Sequence, residues 1–288
     1  DRSNCRFSAR TRTLGCSRIV IRDERSSLRA LAFCLLCCLA LLHIPAALAL
    51  QEVRVGGYHF PPYLDKPESP YPQGLVPELL RALNAAQQQY RFVLVPTSAT
   101  RRYRDLESGR FDLMFFESTR WGWQGTSYLA VGLDIDDAEV YVAAAEPGRG
   151  QDYFEDFNDK RMALYNGYHY GFASFDADPD YLARTFNALL SYSHDSNLRM
   201  LLARRVDIAV VTRSYLELFL DRHPEMLPEL LVSDRLDQLC HHQVLLRPKG
   251  PLSPAEVAEL LNRLQASGEL SRLLGRYRLT LGNKVSVR

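Results

Sequence analysis

Leu106-Glu107-Ser108-Gly109-Arg110-Phe111-Asp112 runs straight into Leu113-Met114-Phe115-Phe116, and Leu202-Ala203-Arg204-Arg205-Val206-Asp207 runs into Ile208-Ala209-Val210-Val211. Each stretch ends a short helix, turns at Gly or Arg, passes an Asp and enters an unbroken apolar run. Short apolar runs without alternation, bounded by turn residues, read as strands buried on both faces. The same helix–turn–strand element at two distant places marks two α/β units.

The flanking sequence extends both units. Val53–Tyr58 alternates and reads as a first strand, ending in the aromatic loop His59-Phe60-Pro61-Pro62-Tyr63. Gly74 then precedes apolar positions 75, 76, 79, 80 and 83, whose spacing is helical, with Pro77 in the first turn. Tyr90–Val95 is a second strand, Thr100–Ser108 a short helix and Phe111–Phe116 a third strand. This β-α-β-α-β order predicts an α/β fold with a largely parallel sheet. In the second unit, Glu139–Ala145 and Arg161–Tyr165 read as strands. Pro179–Leu190 and Leu198–Ala203 read as helices, and Val206–Val211 as a buried strand. Asp195 or Ser196 is the expected cap of the second helix. Ser214–Leu220 is helical and Val244-Leu245-Leu246 a further strand. Pro254–Ala266 and Leu270–Tyr277 close the chain, with Gly268 between them.

The net charge of +1 over 288 residues hides a division. Residues 1–29 hold eight Arg and three acids, and the following stretch to Ala49 is uncharged, which leaves 27 basic and 31 acidic residues beyond it. That stretch, with its apolar Ala30–Leu42 and Ala47-Leu48-Ala49, has the form of an export signal cleaved before Leu50; an uncleaved membrane anchor is the alternative. Residues 1–49 are therefore expected to be leader, and the exported domain to start at Leu50. Five of the six cysteines fall in the leader, so the domain keeps Cys240 alone and no internal disulfide. Without a basic excess it is not expected to bind nucleic acid.

Taken in order, the strand running into Gly57-Tyr58-His59-Phe60-Pro61-Pro62-Tyr63, the helix opening at Gly74-Leu75, the two Leu-x-x-Gly/Arg-Arg-x-Asp elements and the helix–Gly–helix end with Tyr277 resemble the extracellular solute-binding proteins of family 3. These are the polar-amino-acid type of ABC-importer subunit. The resemblance covers essentially all of Leu50–Arg288. It implies a type II periplasmic-binding-protein fold: two α/β lobes joined by a two-strand hinge, with ligand bound in the cleft between them. Lobe 1 would combine residues 50–142 with 237–288, and lobe 2 would be 143–236. The implied function is capture of a small polar solute, an amino acid or related compound, for an ABC permease. The implied place is the periplasm, the implied state a monomer, and neither cofactor nor metal is called for. A solute sensor without transport, or a periplasmic enzyme of the dehydratase kind, are the other readings of the same fold.

Loops at the C-terminal ends of parallel strands carry ligands in open α/β sheets, and four such loops supply the candidates. Tyr58, Phe60 and Tyr63 offer an aromatic wall. After the third strand come Glu117, Ser118, Arg120, Trp121 and Trp123. Family members present an Arg to the ligand carboxylate from this loop, which makes Arg120 the counterpart, although its spacing from Asp112 is shorter than theirs. Glu117, closing an apolar strand, is a candidate receiver of a cationic or hydroxylated group, and the two tryptophans a candidate stacking platform. Asn166, Gly167, Tyr168 and Tyr170 form the third loop, where glycine permits close backbone approach. Thr212 ends the fourth strand, at a position where amino-acid binders of the family usually place an Asp for the α-ammonium. Either Glu117 takes that role here or the ligand is not an α-amino acid. Asp112 and Asp207, at strand starts, are expected to satisfy backbone or Arg groups.

Catalytic motifs are missing from Leu50–Arg288: no Gly-x-Ser-x-Gly, Cys-x-x-Cys, His-Glu-x-x-His or P-loop occurs there. Ser193-His194-Asp195 is contiguous and cannot form a triad. Cys240-His241-His242 invites a metal reading, but on a strand neighbours face opposite sides, so three consecutive residues cannot share one ion. A catalytic pairing of Glu117 with His169 across the cleft is the remaining enzyme reading.

Overall fold

The computed structural model describes residues 50–281 and 286–287; the leader expected at 1–49 lies outside the described residues. One mixed sheet runs through the domain. At one end, β1 (Gln51–Gly57) pairs in parallel with β2 (Tyr90–Pro96) and with β3 (Leu113–Glu117). Helix α1 (Leu75–Ala86) connects β1 to β2 and buries Leu75, Val76, Leu79, Leu80 and Leu83, the stripe its spacing predicted. Short α2 (Arg102–Glu107) connects β2 to β3, and all five residues of β3 are buried.

The other end repeats the arrangement. β5 (Met162–Tyr165) pairs in parallel with β6 (Ala188–Ser191) and β7 (Ile208–Thr212), with α3 (Pro179–Phe186) and α4 (His194–Leu202) between them. The two echoing Asp residues have matching roles. Asp112 accepts the Arg54 backbone N–H at 2.9 Å and its guanidinium at 2.9 and 3.1 Å, with Arg247 at 2.7 Å. Asp207 accepts the Arg161 backbone N–H at 2.8 Å.

Two long antiparallel strands join the ends: β4 (Leu129–Ala144) and β8 (Leu230–Leu246). Residues 129–132 of β4 lie against 243–246 of β8, which there borders β3; residues 139–142 of β4 border β7. Register shifts occur between Gly132 and Asp136 and again beside Glu139. Helix α5 (Arg213–Arg222) follows β7. Helices α6 (Pro254–Ala266) and α7 (Glu269–Gly275) pack near the first end, and β9 (Ser286–Val287) pairs with β4. A Ser253/Glu256 capping box opens α6.

Four sequence expectations change. The helix expected over 179–190 stops at Phe186, because Asn187 takes a left-handed conformation (φ 48°) and turns Ala188–Ser191 into the outer strand β6. The cap of α4 is Ser193, whose hydroxyl accepts the Ser196 N–H at 2.9 Å, so that helix starts ahead of Leu198. β4 begins ten residues before Glu139, and β8 occupies seventeen residues where three were expected. Both strands carry charged residues on an exposed face, which hid their length. On β8, Cys240 and His242 point inward and His241 outward, the alternation a strand imposes.

Candidate functional site

The C-terminal ends of β1 and β3 face the loop after β5 across the middle of the sheet. A small cavity lies there, lined by Tyr58, Phe60, Arg102, Trp121, Glu139, Gly167, Tyr168, His169 and Gln238. Its free volume is about 10 Å³, no more than a single water needs. The opposing surfaces touch: a Cβ at Gly167 (φ +83°) would come within 3.1 Å of Thr100 and 3.2 Å of Ala99.

Aromatic rings make most of the wall. Tyr58 stacks on Phe60 with centroids 5.7 Å apart. Phe60 meets Trp121 at 5.8 Å and Tyr168 at 5.5 Å, at 86° to each ring. Phe60 and Trp121 come from the β1–β3 side and Tyr168 from the β5 side, so the corner closes only when the two sides meet.

Most polar groups around the cavity are already engaged. Arg102 is buried and donates to Glu117 Oε2 at 3.2 Å, to Trp121 O at 3.0 Å and to Ala99 O. Its guanidinium also lies against the rings of Tyr58, Tyr103 and Trp123, at 4.5–5.6 Å. Glu117 further accepts Trp123 Nε1 at 2.8 Å. Burial pushes the Glu117 carboxyl up, and Arg102 is the main force pulling it back. Gln238 spans the site, accepting Trp121 Nε1 at 2.9 Å and donating to His169 O at 2.6 Å. Burial holds the His169 imidazole down at about 4, so it is neutral at physiological pH. Its Nδ1 lies 2.7 Å from Phe175 O and its Nε2 2.9 Å from the Tyr103 hydroxyl.

Two lining atoms stand apart. Glu139 Oε2 and the Tyr168 hydroxyl are buried and bond to no described residue. Glu139 Oε1 accepts the Thr212 hydroxyl at 2.8 Å, and Thr212 lies 3.0 Å from His194 Nε2. Burial pushes the Glu139 carboxyl well above the usual carboxylate range, and the nearby acids Asp137 and Asp237 push the same way.

Of the sequence candidates, the cavity therefore gathers Tyr58, Phe60, Trp121, Gly167 and Tyr168. Asn166 lies at the cavity's outer margin, in a groove with His59, Thr97 and Tyr192, and donates to the Tyr192 hydroxyl at 3.0 Å. The others sit elsewhere. Tyr63 is buried, and its hydroxyl bridges Asp137 and His242 at 2.7 Å each. Trp123 packs against Tyr103 and Tyr128, so it is core and not a stacking platform. Tyr170 turns inward and its hydroxyl accepts the Tyr165 N–H at 2.7 Å. Thr212 is held behind Glu139, and Ser118 Oγ accepts the Arg120 N–H at 3.3 Å in a local turn. Glu117 does not line the cavity: its Oε2 is taken by Arg102 and Trp123, while its buried Oε1 bonds to no described residue. Arg120 is exposed with its guanidinium 4.0 Å from the Phe175 ring centre, and it does not line the cavity. The next residue, Trp121, is the one that turns inward to the cavity.

Sequence reasoning missed Arg102, Glu139 and Gln238 and assigned His169 only a catalytic pairing. Arg102 shares a helix face with buried Leu106, four residues on, which was an available signal; Glu139 follows Asp134, Asp136 and Asp137 and only heads the apolar run Val140–Ala145, so nothing in the local sequence set it apart.

Neither family models nor curated proteins yield a match to this chain in sequence. Solved structures match at the level of fold. A histidine kinase sensor domain similar to periplasmic binding proteins shares 19% identity at TM-score 0.60, covering 81% of this chain and 99% of that one. The GluR0 ligand-binding core from Nostoc punctiforme, solved with L-glutamate, shares 12% at TM-score 0.60, covering 78% and 98%. The substrate-binding protein of an amino acid ABC transporter shares 16% at TM-score 0.56, covering 78% and 98%. The fold is that of the two-lobe periplasmic binding proteins of type II. Among the described residues no helix is long and apolar enough to cross a membrane.

Proposed function

We propose that the chain is an exported solute-binding protein that captures a small polar solute between its lobes and delivers it to an ABC permease. The observation that carries this reading is the aromatic cavity between opposing surfaces, into which a buried carboxylate oxygen and a buried hydroxyl project without protein partners. Burying such atoms unpaired costs free energy, and a ligand bound there would recover it. The lobes are divided where β4 and β8 change partners, near residues 133–138 and 239–242, and this pivot lets them part to admit solute. Binding without turnover is the reading preferred over an enzyme, and the binding proteins that share the fold support it.

Thermal-shift screening against amino acids, amines, organic acids and other polar metabolites tests it. A ligand at about one hundred times its Kd adds about 2.7 kcal/mol of stability, and a panel with no shift would count against solute binding. A second reading, a solute sensor without transport, draws on the likeness to the histidine kinase sensor domain. Co-purification of a permease with the protein from its native membrane favours transport; co-purification of a kinase favours sensing.

A further inference from the structure

The charges around the cavity are unevenly committed. Its lining holds one acid, Glu139, one permanent cation, Arg102, and one neutral imidazole, His169. The Arg102 charge is matched by Glu117 and its donors also engage two main-chain carbonyls. Arg120 lies outside on Phe175. A ligand carboxylate would thus enter a site whose cation is already matched, and would find no free cation among the described lining residues. An ammonium would meet the opposite situation. Glu139 Oε2 and the Tyr168 hydroxyl are buried acceptors without partners. Phe60, Trp121 and Tyr168 meet at a corner, and ring faces attract cations. Asp137 and Asp237 add to the negative potential at Glu139, whose one bonded oxygen faces the neutral Thr212–His194 pair.

We propose that the solute is an organic amine without a carboxylate, its ammonium held by Glu139 Oε2 and the Tyr168 hydroxyl inside the Phe60–Trp121–Tyr168 corner. This rests on the solute-binding reading above and narrows it. Glu139 on β4 pairs with Thr212 on β7, which holds its other oxygen and leaves Oε2 toward the cavity. The present free volume admits no amine, so binding requires the lobes to part and close again around it.

The test is calorimetric titration of the purified exported domain at neutral pH with matched pairs: ethylamine and alanine, phenethylamine and phenylalanine, tyramine and tyrosine, cadaverine and lysine. At least one amine should bind, about tenfold or more tighter than its amino acid, since only the amino acid carries a carboxylate with no free cation to receive it. Glu139→Gln should weaken that amine by about tenfold or more, as expected for a charge-assisted contact. Tyr168→Phe, which removes only the hydroxyl, should weaken it a few-fold and decides the matter if the Glu139 variant does not melt cooperatively. An amino acid that binds as tightly as its amine, or an amine unaffected by both substitutions, overturns the proposal. Binding of a neutral or anionic solute with no amine binding overturns the amine class and leaves solute binding standing. No binding by any of these compounds or by the wider metabolite panel overturns both.

Discussion

Arg102→Met is the perturbation that most directly probes the site's support. Arg102 and Glu117 have side chains only 2% and 0% exposed, so water screens neither charge. Removing the guanidinium leaves Glu117 with the Trp123 N–H as its remaining close donor and frees the carbonyl of Ala99, while Trp121 O keeps the Tyr103 hydroxyl at 2.7 Å. Breaking a buried ion pair from one side costs about 3–5 kcal/mol. At about 2–4 °C per kcal/mol for a domain of this size, the melting temperature should fall by about 6–20 °C. The loss should depend on pH. Burial already raises the Glu117 carboxyl, and without Arg102 it rises further, so protonation relieves the orphaned charge. The variant should therefore be hurt least at acidic pH and increasingly as pH climbs past the ordinary carboxylate range. Adding Glu117→Gln should recover a large part of the loss at neutral pH, because the double variant buries no net charge. Urea unfolding of the two single variants and the double variant gives the coupling energy. An Arg102→Met loss below about 1 kcal/mol, or two losses that simply add, would refute the reasoning that this pair acts as a buried, mutually dependent unit.

Three further outcomes are expected. The two tryptophans should separate functionally: a ligand-induced change in tryptophan fluorescence should survive Trp123→Phe and vanish in Trp121→Phe, since only Trp121 lines the cavity. Glu139→Gln should raise the melting temperature at neutral pH, and by more at pH 8 than at pH 5. The folded carboxyl is raised, so its burden on stability is absent at low pH and grows as pH rises through and above the normal carboxylate range; an equal effect at both pH values would contradict this. Tyr63→Phe should cost about 1–3 kcal/mol in urea unfolding, because it leaves buried Asp137 and His242 each short of a partner.

The repeated helix–turn–strand elements, the strand ends and the aromatic loops were legible in local sequence, because period and turn chemistry act over a few residues. From them alone came the α/β class and five of the cavity's lining residues, with Tyr58 and Phe60 on one side and Tyr168 on the other. The roles of particular charges were not legible. Arg120 and Arg102 read alike along the chain. Only packing shows that one is spent on the surface against Phe175 while the other is buried beneath the cavity with Glu117. Glu139 and Gln238 are brought side by side by the pairing of β4 with β8, and alternation on either strand reveals which face a residue takes but not what stands across from it. Tyr63, Trp123, Tyr170 and Thr212 belong to the same loops but do not line the cavity, since a loop's position follows from the strand before it whereas each side chain's direction follows from what it packs against. Local sequence was enough to show which strand-end loops would line the cavity; which charges there remain unmatched was decided by the tertiary structure, because desolvation and pairing are properties of neighbours far apart in the chain.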